Sequence, residues 1–304
     1  MLSVDFQVGR SGIITPVANL TPVKLSGVEI SRVSLHNFDF IKQKEIKKSD
    51  FVRIQRSGEV IPYITSIIKD RRNGTEELIE PPLFCPVCQA PITNMDIHYY
   101  CTNPNCPAQV KEKILHFVSK EAMDIQGIGE SVVETLVKQE LLHNVADLYK
   151  LEDPQMRIVL RTFPGFGDKR IYEISRAIKA SKKQPFWRLI NALGIPHIGH
   201  KTAQDIAAFL KTEKADSLSD LQSILTDTEK MVALYGVGEK TVQALQNFFS
   251  NPQTQTLLKQ LQDYGLNFSA RDTASAEKPH LGNFSLTGVF PFPKEQIREA
   301  LENL

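Results

Sequence analysis

The four cysteines of this 304-residue chain, Cys85, Cys88, Cys101 and Cys106, all fall within the stretch "CPVCQAPITNMDIHYYCTNPNC". Their spacing is C-x2-C, twelve residues, then C-x4-C. Two cysteines two residues apart can aim both sulfurs at one point from a tight knuckle, and "CTNPNC" closes the site from a Pro/Asn turn. Four thiolates complete the tetrahedral shell of Zn2+ and leave no position for water, so the expected site is structural, not catalytic. Metal binding there contributes on the order of 10 kcal/mol to folding a segment too small for its own core. Two disulfides, or four unrelated thiols, are the competing reading; paired knuckles in a reducing compartment favour the metal. His98 lies between the knuckles without a paired partner and reads as a surface histidine.

A second pattern occurs four times downstream: "MDIQGIGESVVETLV", "FPGFGDKRIYEISRAI", "GIPHIGHKTAQDIAAFL" and "LYGVGEKTVQALQNFF". The aligned last glycines, Gly129, Gly167, Gly199 and Gly238, are 38, 32 and 39 residues apart, a spacing that marks an internal repeat. Each copy is a small G-x-G turn followed by an apolar-periodic helix. The stripes are Val133/Leu136/Val137, Ile171/Ile174/Ile178, Ala203/Ile206/Ala207/Leu210 and Val242/Leu245/Phe249. The first glycines are Gly127, Gly165 and Gly236; the third copy has His197 instead, so its turn is expected to approach a ligand less closely. Glycine permits positive φ and removes the side chain that would hold a ligand off the backbone. Free amides then face outward at the positive end of a helix dipole, an arrangement suited to phosphate. Lys169, Lys201 and Lys240 stand two residues after the last glycine; the first copy has Ser131. The pattern resembles the helix-hairpin-helix motif, and that resemblance implies contact with the DNA backbone without reading of bases. A single copy could be a plain helix cap; four in register argue for duplex DNA as partner.

The elements that must carry these sites are those of a soluble protein with several cores. Hydrophobic residues make up 41% and charged residues 23%, and no apolar run reaches the length of a membrane span. "MLSVDFQVGRSG" lacks the basic start and apolar core of a secretory signal, so a cytoplasmic location is expected. The net charge of +1 hides a distribution. Residues 161–201 carry nine Lys/Arg against Asp168 and Glu173, residues 1–72 twelve against seven acids, and residues 212–230 two against five. Such asymmetry fits a polyanion on one surface, although basic segments are often only solvated faces.

Residues 1–72 contain "VDFQVG", "ITPVANL", "PVKLSGVEIS", "DFVRIQRSG" and "VIPYITSIIKD", short β-branched runs bounded by Gly, Pro or Asp. Five such strands predict a small barrel; with Arg10, Arg32, Arg53 and Arg56 interspersed they suit an oligonucleotide-binding (OB) fold, and periodicity alone allows a ligand-free barrel equally well. The segment "VGRSGIITPVANLTPVKLSGVEISRVSLHN", followed by "RIQRSGEVIP", resembles the OB domain of bacterial NAD-dependent DNA ligases, whose pattern runs V-G-R-T-G, T-P-V-A, P-V, G, L-H-N, then R-A-G-D-x-I-P. That family next carries a four-cysteine zinc module ending in C-P-A-Q, as in Cys106-Pro107-Ala108-Gln109, then four helix-hairpin-helix motifs and a BRCT domain. "LGNFSLTGVFPFPKEQIREALENL" is similar to the opening of that last domain.

The resemblance implies the following. The chain is multidomain: a small β-barrel (OB-fold) at 1–75, a four-cysteine zinc finger at 84–108, an all-α tandem helix-hairpin-helix domain at 109–268, a linker at 269–280 and an incomplete BRCT domain at 281–304. Arg10, Ser11 and Arg56 contact DNA near a nick, with Val60 and Ile61 against its sugars. Ser11, Ser57 and Glu59 replace the usual Thr, Ala and Asp, and "KKSD" at 47–50 replaces a Gly-Asp turn. In the complete enzyme, which uses NAD and Mg2+, a lysine in K-x-D-G takes AMP from NAD; the AMP passes to the 5′-phosphate of the nick and the 3′-hydroxyl displaces it. No K-x-D-G occurs here, nor a counterpart of the domain that captures the nicotinamide half of NAD. The chain is therefore expected to be a segment that clamps nicked duplex, takes no AMP itself and partners an N-terminal adenylation domain at the bacterial nucleoid. A stand-alone DNA-binding adaptor derived from a ligase is the alternative. A repair nuclease is disfavoured because Asp147, Glu152 and Asp153 read as solvated acids and not a metal cluster. His36 in "SLHN" is expected to pack or hydrogen-bond within the barrel.

Overall fold

The computed structural model describes residues 1–25, 27–57, 61–234 and 236–269. The BRCT-like segment, most of the linker before it and Val60 lie outside the described residues.

The first core is built from strands β1 (Ser3–Val8), β2 (Ile14–Leu25) and β3 (Val28–Ser34) in an antiparallel sheet, and β4 (Val52–Ser57) paired with β5 (Ile61–Ile67). The runs expected as two strands at 14–20 and 22–31 divide differently. β2 continues through Pro22 to Leu25, and Gly27, at φ +77°, turns the chain into β3. The pairing of β2 with β3 is irregular between Asn19 and Val23, and a proline lacking an N–H is tolerated in such a bulge. Helix α1 (Phe38–Gln43) has no counterpart in the strand pattern: Asn37 caps it by accepting the Phe40 amide at 2.8 Å, and Phe38 and Ile41 enter the core. His36 stays exposed and lies edge-on to Phe40, outside the barrel interior. Ile79, in the stretch after the strands, completes this core.

A buried ion pair ties the barrel shut. Asp50 is 1% exposed and receives Arg72 Nε at 2.7 Å, Arg72 Nη2 at 2.8 Å and the Lys47 amide at 2.7 Å. Within "KKSD", Asp50 is thus an acidic anchor of the barrel.

A short hairpin, β6 (Ile92–Met95) and β7 (His98–Cys101), separates the barrel from a helical region with one continuous core running from Val110 to Phe268. The helices are α2 (Pro107–Val118), α3 (Glu130–Lys138), α4 (Pro154–Arg161), α5 (Asp168–Ser181), α6 (Phe186–Ala192), α7 (His200–Thr212), α8 (Leu218–Thr226), α9 (Thr228–Val232), α10 (Glu239–Ser250) and α11 (Pro252–Asp263). The apolar stripes do what their period predicts: Ile171, Ile174 and Ile178 on α5, and Val242, Leu245 and Phe249 on α10, are all buried. Beyond α11, Phe268 packs on Phe186 and Tyr264 stacks on Tyr149, folding the end of the domain back over its first half. No helix among the described residues is long and apolar enough to cross a membrane.

Candidate nucleic-acid interface and metal centre

The four cysteines converge. Their sulfurs lie within 4.8 Å of one another, with Cys85–Cys106 at 3.9 Å and Cys88–Cys101 at 3.5 Å. A disulfide needs about 2.05 Å, so the cysteines are not cross-linked in pairs. Four sulfurs about 2.3 Å from one Zn2+ would be separated by about 3.8 Å, which the cluster matches. Amides of the knuckles point inward: Ala90 at Cys88, Asn103 at Cys101, Ala108 and Gln109 at Cys106. Burial pushes the Cys106 thiol up to about 12 against its two amides. Burial would also raise Cys88, but hydrogen bonds from the Ala90 amide, Asn103 and the other thiols outweigh it and bring the group down to about 7. Four converging sulfurs with inward-pointing amides fit a cation at their centre. His98 stands apart, edge-on to Tyr100.

This centre is also a corner. The Cys101 amide donates to the Gly12 carbonyl at 2.9 Å, and Tyr100 bridges Ile13, so the cysteine module is hydrogen-bonded to the barrel. Gly12 sits at φ +85°, and a Cβ there would lie 2.5 Å from the Cys101 carbonyl oxygen; no other residue fits. Gln109 locks the same point, donating to the carbonyls of Cys101 at 2.8 Å and Asn103 at 3.0 Å. Because Cys106 immediately precedes α2, barrel, cysteine module and helical core meet within a few residues.

The hairpin turns share one design. In residues 127–131, 165–169, 197–201 and 236–240 the first position is exposed, the second buried and the next three exposed. The buried residues, Ile128, Phe166, Ile198 and Val237, anchor each turn in the core. The two glycines have different tasks. Gly127, Gly165 and Gly236 have φ of +86°, +84° and +84°, and His197 adopts +64° in the same place. The third turn therefore keeps its backbone shape, at a strain of roughly 1–2 kcal/mol. The second glycines, Gly129, Gly167, Gly199 and Gly238, have negative φ and are the N-caps of α3, α5, α7 and α10. A Cβ at any of them would meet nothing within 4 Å, and none of these helices has a side-chain cap. By contrast α1, α4, α8, α9 and α11 are capped by Asn37, Asp153, Ser217, Asp227 and Asn251, while α2 and α6, which start after Cys106 and Pro185 and not at a glycine turn, also lack such a cap. The helix starts of the repeat thus keep their first amides open to an outside acceptor. Lys169, Lys201 and Lys240 are exposed beside them; Lys201 is partly answered by Asp205 at 2.8 Å.

On the barrel, Arg56 and Arg32 line one cleft of about 250 Å³ with Val28, Ile30 and Pro62. Ile61, at the start of β5, is 66% exposed. Ser11 is exposed, while Arg10 is half-buried and its guanidinium lies against Gly194, 3.2–3.4 Å from where a Cβ would stand. Burial lowers Arg10, and its charge helps hold down His116, which burial chiefly depresses and whose Nε2 is 2.8 Å from the Asn191 carbonyl. Arg10 thus stands at the junction of barrel and helices. The acids weighed for a nuclease have structural partners: Asp147, expected to be solvated, is 3% exposed and accepts the His143 and Asn144 amides and Lys150. Glu152 pairs with Lys182, and Asp153 caps α4.

Three family models match: the NAD-dependent DNA ligase OB-fold domain over residues 1–76, a SAM-like helix-hairpin-helix tandem over 119–180 and a helix-hairpin-helix motif over 188–258. The DNA ligase of Methylacidiphilum infernorum is 41% identical over 98% of the chain, and that of Sulfurihydrogenibium azorense 40% identical over all of it. Along its whole length the chain matches a segment of the NAD-dependent DNA ligases. It spans 42% of the length of each of these two relatives. Within this ligase segment, residue-type reasoning missed Gly12, Gln109 and Gly194 as joints between domains. Gly12 and Gln109 had a signal, since they close the V-G-R-S-G and C-P-A-Q stretches; Gly194 had none, because its role arises from Arg10, far away in the chain.

Proposed function

We propose that these residues are the DNA-gripping part of an enzyme that seals 5′-phosphate/3′-hydroxyl nicks in duplex DNA during replication and repair. The observation that carries the reading is the set of four helix starts, on α3, α5, α7 and α10, left without side-chain caps at exposed glycine turns. Backbone phosphates are the acceptors these amides suit, with Lys169, Lys201 and Lys240 adding charge. Arg10 and Ser11 in the loop after β1, Arg56 on β4, Ile61 and, beyond the described residues, Val60 would meet the duplex from the barrel side. Cys85, Cys88, Cys101 and Cys106 would hold one Zn2+, which supplies a rigid cross-link. NAD and Mg2+ belong to the complete enzyme, with adenylation carried by a K-x-D-G lysine that these 304 residues do not contain. The function supports a cytoplasmic, nucleoid-associated location.

The test is binding of the chain to nicked duplex over a range of salt. Double reversal, Lys169→Glu with Lys240→Glu, is expected to weaken binding uniformly across sequences and reduce the salt slope by about one per lost phosphate contact. Unchanged affinity and slope would remove the hairpins from the interface. The chain alone is expected to take no AMP label from NAD; retained label would overturn the division of roles.

A further inference from the structure

Lys113 is a charged side chain without the usual answer to its charge. It stands on α2, is half-buried, and its ammonium reaches the Pro104 carbonyl, inside the Cys101–Cys106 knuckle, at 3.5 Å. Lys111, on the same helix, is paired with Glu130 at 2.7 Å. For Lys113 no carboxylate pair occurs among the described residues; burial depresses the lysine, and Cys106 is what pulls the other way. An ammonium drawn against a knuckle carbonyl is only partly compensated by that dipole, and an anion beside it would complete the balance.

The cysteine centre supplies such an anion when loaded. Four thiolates carry four negative charges and Zn2+ returns two, leaving a net charge of about −2 in a mostly buried site. Amides of Ala108 and Gln109, at the positive end of α2, already point at the Cys106 sulfur. We propose that Lys113 is the counter-charge of the metal-loaded cysteine centre, balancing its excess negative charge from the Cys106 side and making its sulfurs less reactive. The inference rests on the zinc reading above. Its direction follows from Coulomb attraction: a cation beside a dianionic centre stabilises the loaded state and draws electron density away from attack by an electrophile.

The experiment uses the zinc-loaded 304-residue chain, with Lys113→Met to keep the aliphatic stem and remove the charge, and Lys113→Arg to keep the charge. Zinc content is measured first, then zinc affinity by competition with a chelator and the rate of zinc release to a thiol-alkylating reagent. Lys113→Met is expected to bind zinc about 10-fold more weakly and to react faster, while Lys113→Arg stays near the parent. If Lys113→Met does not fold, Lys113→Gln carries the same comparison. A parent chain that binds no zinc overturns the metal reading itself. A parent with one zinc and a neutral variant with the same affinity and rate overturns only the role of Lys113. Equal losses in the neutral and arginine variants assign the effect to packing and overturn it too.

Discussion

Asp50 shows how a single buried carboxylate can hold a fold together. Burial alone would raise its pKa, but the paired bonds from Arg72, the Lys47 amide and the positive charges of both residues hold it below the ordinary carboxylate range. A carboxylate lowered on folding contributes stability that is present above its unfolded pKa and lost as pH falls through the folded value. The barrel is therefore expected to loosen on acidification below the usual aspartate range. Asp50→Ala, which leaves Arg72 without its partner, is expected to cost about 3 kcal/mol, and Arg72→Ala at least as much because it strands a fully buried charge. Urea unfolding at pH 7 measures both, and the parent should approach the Asp50→Ala variant as pH drops. Equal stability of parent and variant at pH 7 would count against the ion pair as the barrel's clasp. His197 is the complementary case: it occupies a left-handed turn position where the three sister copies use glycine, and the fold bears the strain to keep the turn.

The repeated helix starts separate two requirements that a G-x-G pattern merges. The first position bends the chain; the second leaves space and an unfilled set of amides. Stability and ligand affinity should consequently move in opposite directions when an acid is placed at the second position. Gly238→Asp supplies α10 with a side-chain cap and a negative charge at the positive end of its dipole, worth about 0.5 kcal/mol to the fold. The same carboxylate would occupy the amides and repel phosphate, so duplex affinity is expected to fall about 10-fold or more. Thermal unfolding and a binding titration on one preparation check the two signs together. A variant that is more stable and binds DNA as well as the parent would show that α10 does not meet the backbone.

In the molecule as a whole, the barrel is joined to the helical region through the corner made by Gly12, the cysteine knuckles and Gln109, with Arg10 on Gly194 beside it. The hydrophobic cores of barrel and helices are separate. Gly12→Ala forces a Cβ against the Cys101 carbonyl in a backbone conformation alanine resists, so the corner must open. The expected result is a more extended particle by small-angle scattering and weaker binding to nicked duplex, with both cores still folded by circular dichroism. Removal of zinc by a chelator should give the same extension. A chelated chain that keeps its dimensions would mean that the barrel contacts, not the metal, fix the angle.

Local chemistry is readable from the sequence. Cysteine spacing, the four glycine turns and the helical stripes depend on residues near one another in the chain, and each forms where its pattern places it. Strand edges are less readable: Pro22 marks a boundary in the pattern, yet a bulge in the tertiary pairing lets β2 run through it. Helix α1 escapes sequence reading because a six-residue helix has too few turns to display a period. Arg10 against Gly194, Asp50 beneath Arg72, Gly12 against Cys101 and Lys113 beside Pro104 are decided by the tertiary structure alone. Each joins residues that only folding brings together, and burial, not residue type, sets the strength of a charge or the need for a glycine.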